Sequence, residues 1–512
     1  MITGIDLGTT YSAIAQFDTH GRPVIMTDSQ EENLVPSCVA YFDDQWWVGR
    51  EAIRQWIAGP TNAAARFKRF MGTSERFNIG GDTFTPTQLS AHVLRHMHQI
   101  ALNHQGEVGT TVVTIPANFS VEARQETINA AKHAGLKMDY IINEPTAAAL
   151  YYAFSGDLVG DGKYAVYDFG GGTFDISLIE LNSSQVDVIT SNGVSRLGGM
   201  DFDKILQKIV RQKYEEATQS TLDEHELEET PFDLVSIEEL KRSLSRRETV
   251  TQFAKGTVLE ITRQEFEEAI SGLVMQAEVC CGATLKEAKI SSSELSGVIL
   301  AGGSTRVPCI RKSIQDVFKD VPLIESANVD EVVALGAVLY AAIRADSNEF
   351  NAAQSATIAP LQLTEVTNMN FGTIVLDYDE IDLPFLNNSI IIRKGTPIPC
   401  SQQQTYYTRY DGQDEVDCSI TECAREETEM NEFIKIISDE SKLKLPKLPK
   451  GEFWPAHEEI IVTFSYDENQ IMHCSFLHEN SGHSQEVDLD FNQVTDDTKD
   501  YKISGSTSQE ME

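Results

Sequence analysis

The chain has 512 residues, of which 41% are hydrophobic and 23% charged, so it is long enough for two to four folded units and too apolar for disorder throughout. Its 41 Lys and Arg residues stand against 78 Asp and Glu residues, which gives a formal net charge of -37. A surface this acidic repels nucleic-acid backbones and anionic lipid and argues against both as general partners. Backbone N–H groups can still bind a small phosphate locally.

The sequence predicts a cytosolic protein. No segment approaches the roughly 20 apolar residues that span a bilayer, and the first residues lead directly into a strand pattern without a signal sequence. None of the eight cysteines forms a CxxC pair, and Cys418 with Cys423 is not enough for a metal site. We therefore expect reduced, mostly buried thiols.

Residues 1–346 alternate short β-branched runs with helical stretches, which predicts an α/β domain. The predicted strands are 111–115, 164–167, 174–181 and 297–300, and the predicted helices are 122–134, 146–152, 201–216 and 265–288. His92, His96 and His98 fall on one further helix, where we expect packing or surface roles because no ligand partner has metal-binding spacing.

The composition changes near residue 346. Residues 347–366 are predicted to be a linker, because 347–360 are small and polar and have no helical or strand period. Residues 367–491 are predicted to form an all-β unit with strands at 389–393, 404–410, 415–421, 460–466 and 471–476. Residues 492–512 are acidic and rich in Ser and Thr, which predicts a disordered tail.

Two segments share one pattern, GIDLGTTY at 4–11 and DFGGGTFD at 168–175. Each has an Asp at a strand end, then glycines in a tight turn, then a Thr hydroxyl. Such a turn points N–H groups at phosphate oxygens, and the Asp can hold Mg²⁺ through water. Either segment alone could be an ordinary glycine-rich turn. Together they predict an internal duplication with a nucleotide between the halves.

Two further segments could surround the nucleoside. The strand at 297–300 ends in Gly302-Gly303, which leaves room for a flat ring, and Arg306 could stack on it. A helical face bears Glu238, Lys241, Arg242 and Ser245, a set that could equally be a solvated surface. The chain has no GxxxxGK[ST], GxGxxG, HExxH or GxSxG motif, which excludes P-loop, dinucleotide, zinc-protease and nucleophile-elbow sites of those types.

These segments, together with VTIPANF at 113–119, INEPTAAA at 142–149 and LAGGSTRVP at 300–308, resemble the seventy-kilodalton heat-shock (DnaK-type) chaperones. The short segment between Phe67 and Leu94 is similar to the HscC-like bacterial branch. The resemblance implies an α/β, actin-like, two-lobed ATPase domain of duplicated ribonuclease-H-like units over 1–346. An all-β sandwich that binds peptides would follow the linker.

The resemblance also implies a set of site residues. The catalytic residues would be Lys68, Glu144, Asp168, Thr173 and Asp175. ATP or ADP would contact Asp6, Gly8, Thr9, Thr10, Tyr11, Gly170, Gly171, Gly172, Glu238, Lys241, Arg242, Ser245, Gly302, Gly303, Ser304, Arg306 and Asp330. Mg²⁺ would be held near Asp6, Asp168 and Asp175, mainly through water, and the resemblance also admits K⁺.

For the second domain, the resemblance implies binding of extended or unfolded polypeptide, with Tyr406 and Val416 lining a pocket, although both could equally be sandwich core. Pro116, Arg124, Leu361 and Leu363 would pass the nucleotide state between the domains. We expect no helical lid, because the chain ends soon after the β unit, and therefore fast peptide release. A nucleotide exchange factor is implied, with no nucleic-acid or membrane partner.

One residue departs from the family pattern at a partner site. Tyr140 stands where the family has an arginine that meets J-domain cochaperones, which puts that partnership in doubt. Three functions remain open: an ATP-hydrolysing chaperone for apolar peptide, a nucleotide-gated module for one dedicated partner, and a small-molecule kinase on the same fold. The complete catalytic set favours the first, the missing lid and Tyr140 favour the second, and the third leaves the β unit and the linker unexplained.

Overall fold

The computed structural model describes residues 2–489 except 59, 159, 183, 224–225, 326–327, 346–349, 379–380, 382, 440, 450–451 and 469. The described residues form an N-terminal unit that ends at Leu363 and a C-terminal unit that begins at Thr364. The predicted disordered tail, 492–512, lies outside the described residues.

The N-terminal unit is mixed α/β. Its strands are β1 Thr3–Asp6, β2 Tyr11–Phe17, β3 Pro23–Ile25, β4 Val35–Pro36, β5 Cys38–Phe42, β6 Gln45–Val48, β7 Ala63–Ala65, β8 Phe77–Ile79, β9 Asp82–Phe84, β10 Thr111–Ile115, β11 Met138–Asn143, β12 Gly162–Phe169, β13 Phe174–Asn182, β14 Gln185–Val194, β15 Thr249–Ala254, β16 Thr257–Thr262, β17 Leu295–Ala301 and β18 Leu323–Ile324. Its helices are α1 Arg50–Ala58, α2 Pro86–Gln105, α3 Val121–Ala134, α4 Glu144–Ser155, α5 Gly199–Thr218, α6 Leu234–Leu244, α7 Arg263–Ala288, α8 Pro308–Phe318, α9 Val332–Arg344 and α10 Ala352–Ile358.

Two sheets of this unit share one topology. The first has the order β11-β10-β1-β2-β3, and the second has the order β18-β17-β12-β13-β14. In each, three consecutive strands form an antiparallel meander, and the first of the three also pairs in parallel with a later strand. The repeat agrees with the internal duplication that the two glycine segments predict.

Each sheet packs against its own apolar core. Ile5, Ile14, Phe67, Leu94 and Val113 belong to the core at the first sheet, and Tyr167, Phe174, Phe202, Phe232 and Leu300 to the core at the second. All eight cysteines are free thiols, as the sequence predicts. No helix in the described part of the chain combines the length and apolar composition that a membrane crossing requires.

The predicted strands and helices of this unit are all present, but the predicted linker contains a helix. Asn351 and Gln354 cap α10 reciprocally, and the side-chain amides of both donate to main-chain carbonyls, Asn351 to Thr19 at 3.1 Å and Gln354 to Asp18 at 3.0 Å. The helix is therefore fixed by polar caps and a docking surface far away in the sequence. No apolar period marks it, which is why the composition predicts a linker there.

The C-terminal unit is all β. Strand β19 Gln362–Val366 begins before the boundary, and the rest are β20 Asn370–Tyr378, β21 Pro384–Ile392, β22 Pro397–Ile398, β23 Cys400–Tyr407, β24 Glu415–Asp417, β25 Ile420–Cys423, β26 Lys435–Ser438, β27 Lys442–Lys444, β28 Glu459–Tyr466, β29 Met472–His478 and β30 His483–Asp488. They form sheets β21-β20-β25-β26 and β23-β28-β29-β30 and the pair β24-β27. The rings of Phe371 and Tyr466 meet between the two larger sheets, 5.5 Å apart. The single strand predicted over 415–421 is wrong: it divides into β24 and β25, which belong to different sheets.

A half-buried histidine on α2, His92, gives a prediction for the dependence of stability on pH. The His92 ring stacks on Trp46 at 4.1 Å, and burial, with Arg95 as a second cause, lowers the pKa of His92 from 6.5 to about 4. As the pH falls below 6.5, the His92 imidazole binds a proton in the unfolded chain but stays neutral in the folded chain. The contribution of His92 to the free energy of unfolding is therefore fully present above pH 6.5 and decreases by about 3 kcal/mol towards pH 4.

We expect His92→Phe to remove this part of the pH dependence. The measurement is the free energy of unfolding by urea at intervals from pH 7 to pH 4. His133→Gln, at an exposed histidine on α3, is the matched control and should keep the slope of the unsubstituted protein. An unchanged slope in His92→Phe would contradict the assignment.

Candidate active site

A cavity of about 620 Å³ in the N-terminal unit gathers nearly all of the predicted site residues. Its lining includes Asp6, Gly8, Thr9, Thr10, Tyr11, Lys68, Glu144, Asp168, Gly170, Gly171, Gly172, Thr173, Glu238, Lys241, Arg242, Ser245, Gly302, Gly303, Ser304, Arg306 and Asp330. Asp175 is the exception among the nucleotide-site predictions. It is 1% exposed and does not line the cavity.

The two glycine turns face each other across this cavity. A Cβ atom on Gly171 would lie 2.0 Å from the Thr10 hydroxyl oxygen, and one on Gly172 would lie 2.5 Å from the Thr9 hydroxyl oxygen. Glycine is required at both positions because any side chain would collide with the opposite turn. The β1–β2 and β12–β13 hairpins thus bring matching turns from the two sheets to one place.

In both turns, main-chain carbonyl groups accept hydrogen bonds from other parts of the protein, whereas several main-chain N–H groups are left available. Ser37 donates to the carbonyls of Gly8 and Thr10, and the carbonyls of Gly170 and Gly171 accept from Gly199, Met200 and Ser304. The main-chain N–H groups of Thr9, Thr10, Gly171 and Gly172 donate to no group in the described part of the chain. Free N–H groups in opposed turns form a site for an anion such as a phosphate chain.

Acidic side chains cluster at the base of the turns. Asp168 and Asp175 are directly opposite in the β12–β13 hairpin. Burial, followed by the neighbouring Glu144 carboxylate, raises the pKa of Asp6 to about 7 and that of Asp175 to about 8. Burial, then Glu144 and Asp175, raises the pKa of Asp168 well above its ordinary value. The cluster therefore has an excess of negative charge, which a cation would relieve.

One lysine faces this cluster. Lys68 lies in a one-turn 3₁₀ helix, Phe67–Phe70, and is 3% exposed. Its ammonium group is ion-paired with Glu144 and lies 5.7 Å from the centre of the Phe119 ring. A buried ammonium beside free N–H groups can neutralise a phosphoryl group.

The other end of the cavity is lined by α6 and by the loop after β17. Arg242 bonds Glu238 at 2.8 Å and lies 5.0 Å above the Tyr11 ring, while Arg306 bonds Asp330 at 3.3 Å. Gly302 adopts φ +79°, which favours glycine, and a Cβ on Gly303 would lie 2.8 Å from Asp330. The two arginines, each ion-paired with a carboxylate, and the backbone without side chains at Gly302 and Gly303 suit a flat heterocycle and its sugar.

Sequence reasoning missed several residues of the cavity. They are Leu34, Gly199, Asp203, Arg246, Val307, Arg311, Val329 and Val333. Two of them have a visible local signal: Gly199 is in the pair Gly198-Gly199, and Val307 is within the segment LAGGSTRVP at 300–308. The others lie in loops or on helices whose proximity is decided by tertiary packing.

The four predicted switch residues do not line the cavity. Arg124 is 4% exposed and donates to the carbonyls of Ala117 and Phe119 and to the Asn143 side chain. It therefore links the loop after β10, which begins with the buried Pro116, to the residue before Glu144. Leu361 is buried and Leu363 half-buried.

The predicted peptide-pocket residues do not come together in a described cavity. Tyr406 is on β23, where its hydroxyl donates to Ser389 at 2.8 Å, and Val416 is on β24, in a different sheet. Tyr140 packs against the Tyr340 ring at 6.4 Å, with the Arg344 guanidinium 5.7 Å from its own ring. Its aromatic surface is thus partly covered within the N-terminal unit.

A family model described as Hsp70 protein matches residues 2–79 and 74–510, which together span nearly the whole chain.

Proposed function

The chain belongs to the Hsp70 family, whose members are nucleotide-dependent chaperones with ATPase activity, and we propose that it couples ATP hydrolysis to the binding of extended apolar polypeptide. The N-terminal unit would be an actin-like ATPase, and the C-terminal unit would bind the polypeptide. The observation that supports this most directly is the pair of facing glycine turns with free N–H groups beside Lys68 and the buried carboxylates. The short segment between Phe67 and Leu94 favours the HscC-like branch.

The donor set fits Mg²⁺, the ion that accompanies ATP and ADP in the family. Asp6, Asp168 and Asp175 are hard oxygen donors in a cluster with too much negative charge. No three acidic, His or Cys side chains within the described ranges converge closely enough to ligate a metal by themselves. An ion here would complete its shell with water and phosphate oxygens, and when bound it would neutralise charge on those oxygens.

The chain's own groups account for binding and positioning. The free N–H groups of the two turns would hold the phosphate oxygens, and Lys68 would neutralise charge that develops on the transferred phosphoryl group. Glu144 orients Lys68 through their ion pair. Thr173 and Glu144 would orient the attacking water. Asp175, which accepts from the Asn118 N–H at 3.3 Å, would act from behind the turn rather than from the cavity surface.

The adenosine would lie along α6. Lys241 and Glu238 would contact the ribose, and the faces of Arg242 and Arg306 would contact the adenine ring, since all four line the cavity. The Ser245 hydroxyl donates to the Lys241 carbonyl at 3.1 Å, so its lone pairs remain available to accept from an exocyclic amino group.

The polypeptide site is proposed on the β20–β21 hairpin rather than at Tyr406 and Val416. The hairpin exposes a row of apolar side chains on one face: Leu376, Tyr378 and Leu386 are between 40% and 55% exposed, and Leu376 is directly opposite Leu386. Strand β21 is at the edge of its sheet. An exposed apolar row on an edge hairpin suits an extended apolar segment.

A second candidate function is control by nucleotide of binding to one dedicated partner. The covered Tyr140 ring favours it, because a J-domain cochaperone would meet altered contacts there. An exchange factor and a cochaperone of the kinds found in the family would be further partners.

We expect an apolar model peptide to accelerate single-turnover ATP hydrolysis by the unsubstituted protein. The double variant Leu376→Ser with Leu386→Ser should bind the peptide at least about tenfold more weakly, because two neighbouring apolar contacts on one face are lost. Fluorescence anisotropy of the labelled peptide measures the binding.

Phe253→Ser is the matched control, since Phe253 is 73% exposed on the N-terminal unit's β15–β16 hairpin. It should leave peptide binding unchanged. Hydrolysis that does not respond to the peptide would favour the dedicated-partner function. A phosphorylated small-molecule product would instead favour a kinase.

A further inference from the structure

Arg66 is a buried arginine in an unfavourable backbone conformation. It is 7% exposed and has φ +66° and ψ +14°, in the left-handed region that non-glycine residues seldom adopt. It comes directly before the 3₁₀ turn that carries Lys68. A strained backbone and a buried charge both cost stability, so the contacts of the side chain must offset them.

The side chain reaches the α5–α6 wall of the candidate active site. One guanidinium nitrogen of Arg66 lies 3.3 Å from a carboxylate oxygen of Asp203 on α5 and 3.9 Å from one of Glu238 on α6. The other oxygen of each carboxylate is taken by a cavity residue: Lys241 lies 2.7 Å from Asp203, and Arg242 lies 2.8 Å from Glu238. Arg66 thus touches the two carboxylates that hold the cations of the nucleoside end.

Arg66 does not itself line this cavity, whereas Asp203, Glu238, Lys241 and Arg242 do. With Arg66 the cluster contains three cations and two carboxylates, a net charge of +1 beside a site suited to an anionic nucleotide. Without Arg66 the charges balance, and each carboxylate has an oxygen free to compete for Lys241 or Arg242. The contribution of Arg66 is therefore indirect, through the groups that it holds.

We propose that Arg66 is a positioning residue that holds the α5–α6 wall against the turn bearing Lys68 and so sets how long a nucleotide stays bound. The inference rests on the proposed nucleotide function. It adds a residue that the sequence did not predict for the site. Breaking a buried ion pair is costly because the partner's charge is left uncompensated.

The turn does not depend on Arg66 alone. Three residues later, Arg69 makes two hydrogen bonds of 2.9 Å to the Asp201 carboxylate at the start of α5. That bidentate pair should keep the turn attached when the Arg66 side chain is changed. Variants at Arg66 are therefore expected to fold, with the α6 end of the wall loosened.

The test compares Arg66→Gln with the full-length unsubstituted protein. We expect a fluorescent ATP or ADP analogue to dissociate about tenfold faster, while the single-turnover hydrolysis rate at saturating ATP changes less than twofold. Arg66→Lys, which keeps the charge, should recover part of the residence time. Arg54→Gln is the matched control, because Arg54 pairs with Glu51 on the surface of the nearby α1.

A second measurement needs no nucleotide. Amide hydrogen exchange of the nucleotide-free protein should be faster in α6 in Arg66→Gln and unchanged in Arg54→Gln. Unchanged exchange, or an unchanged dissociation rate, would overturn the role of Arg66. If the unsubstituted protein bound no nucleotide, the proposed function would fail, and the exchange measurement would still decide whether Arg66 holds the wall.

Discussion

Replacement of Lys68 by alanine is expected to lower single-turnover ATP hydrolysis by at least about a hundredfold, since one preorganised electrostatic contact to the phosphoryl group is worth that much or more. Lys68 is the cation that faces Asp6, Asp168 and Glu144, and burial makes its charge count for more than it would in water. ATP binding should weaken far less, because the free N–H groups of the turns and the α6 wall remain.

The measurement is rapid-quench hydrolysis at saturating ATP, with the dissociation constant of ATP determined separately. Lys204→Ala, at an exposed lysine on α5, is the matched control and should hydrolyse ATP at the unsubstituted rate. Equal rates for Lys68→Ala and the unsubstituted protein would remove Lys68 from the mechanism. If the unsubstituted protein bound ATP without hydrolysing it, the ATPase proposal would fail and a nucleotide-gated binding protein would remain.

The two glycine turns of the candidate site could be predicted, because their residues stand in contiguous segments of the sequence. An aspartate, its glycines and a threonine lie within eight residues of each other in both GIDLGTTY and DFGGGTFD. The turn geometry follows from the glycines themselves. No local segment places the two turns opposite each other. The turns occupy matching positions in two sheets that share one topology.

Most of the cavity residues that sequence reasoning missed could not be predicted, because they meet the others only through tertiary packing. Asp203 and Arg66 are distant in sequence, and neither lies in a recognisable motif, yet the structure joins them in a buried ion pair. The same limit applies to the β unit. Tyr406 and Val416 fit an alternating pattern, but alternation does not tell which face is covered, and the exposed apolar row lies on another hairpin.

Helix α9 is a part of the fold that the sequence pattern does not predict. It is apolar on every side and buried from Val332 to Ala342, so it has no amphipathic period to mark it. Its position is set by a close contact with α4, where Gly336 meets Ala147. That contact leads to the largest stability effect that we expect.

Gly336→Ala should destabilise the N-terminal unit by about 3 kcal/mol or more, because overpacking of a rigid core forces the backbone to shift. A Cβ atom on Gly336 would lie 1.7 Å from the Ala147 carbonyl oxygen, which is main chain and cannot turn away. The two helices would have to separate. Helix α4 begins with Glu144, so a shift of α4 would also disturb the Lys68 ion pair and lower hydrolysis.

Replacement of Gly272 by alanine should have the opposite effect on stability. Gly272 is an exposed position within α7, and a Cβ atom there would meet nothing within 4 Å, so alanine should stabilise by about 0.5–1 kcal/mol through its higher helix propensity. Scanning calorimetry of the two variants beside the unsubstituted protein measures both effects. Equal transition temperatures for Gly336→Ala and Gly272→Ala would show that α4 and α9 are not in close contact at Gly336. Both substitutions add the same methyl group to a helix. A lower transition temperature for Gly336→Ala and a higher one for Gly272→Ala would therefore establish that Gly336 is required because a side chain has no room there.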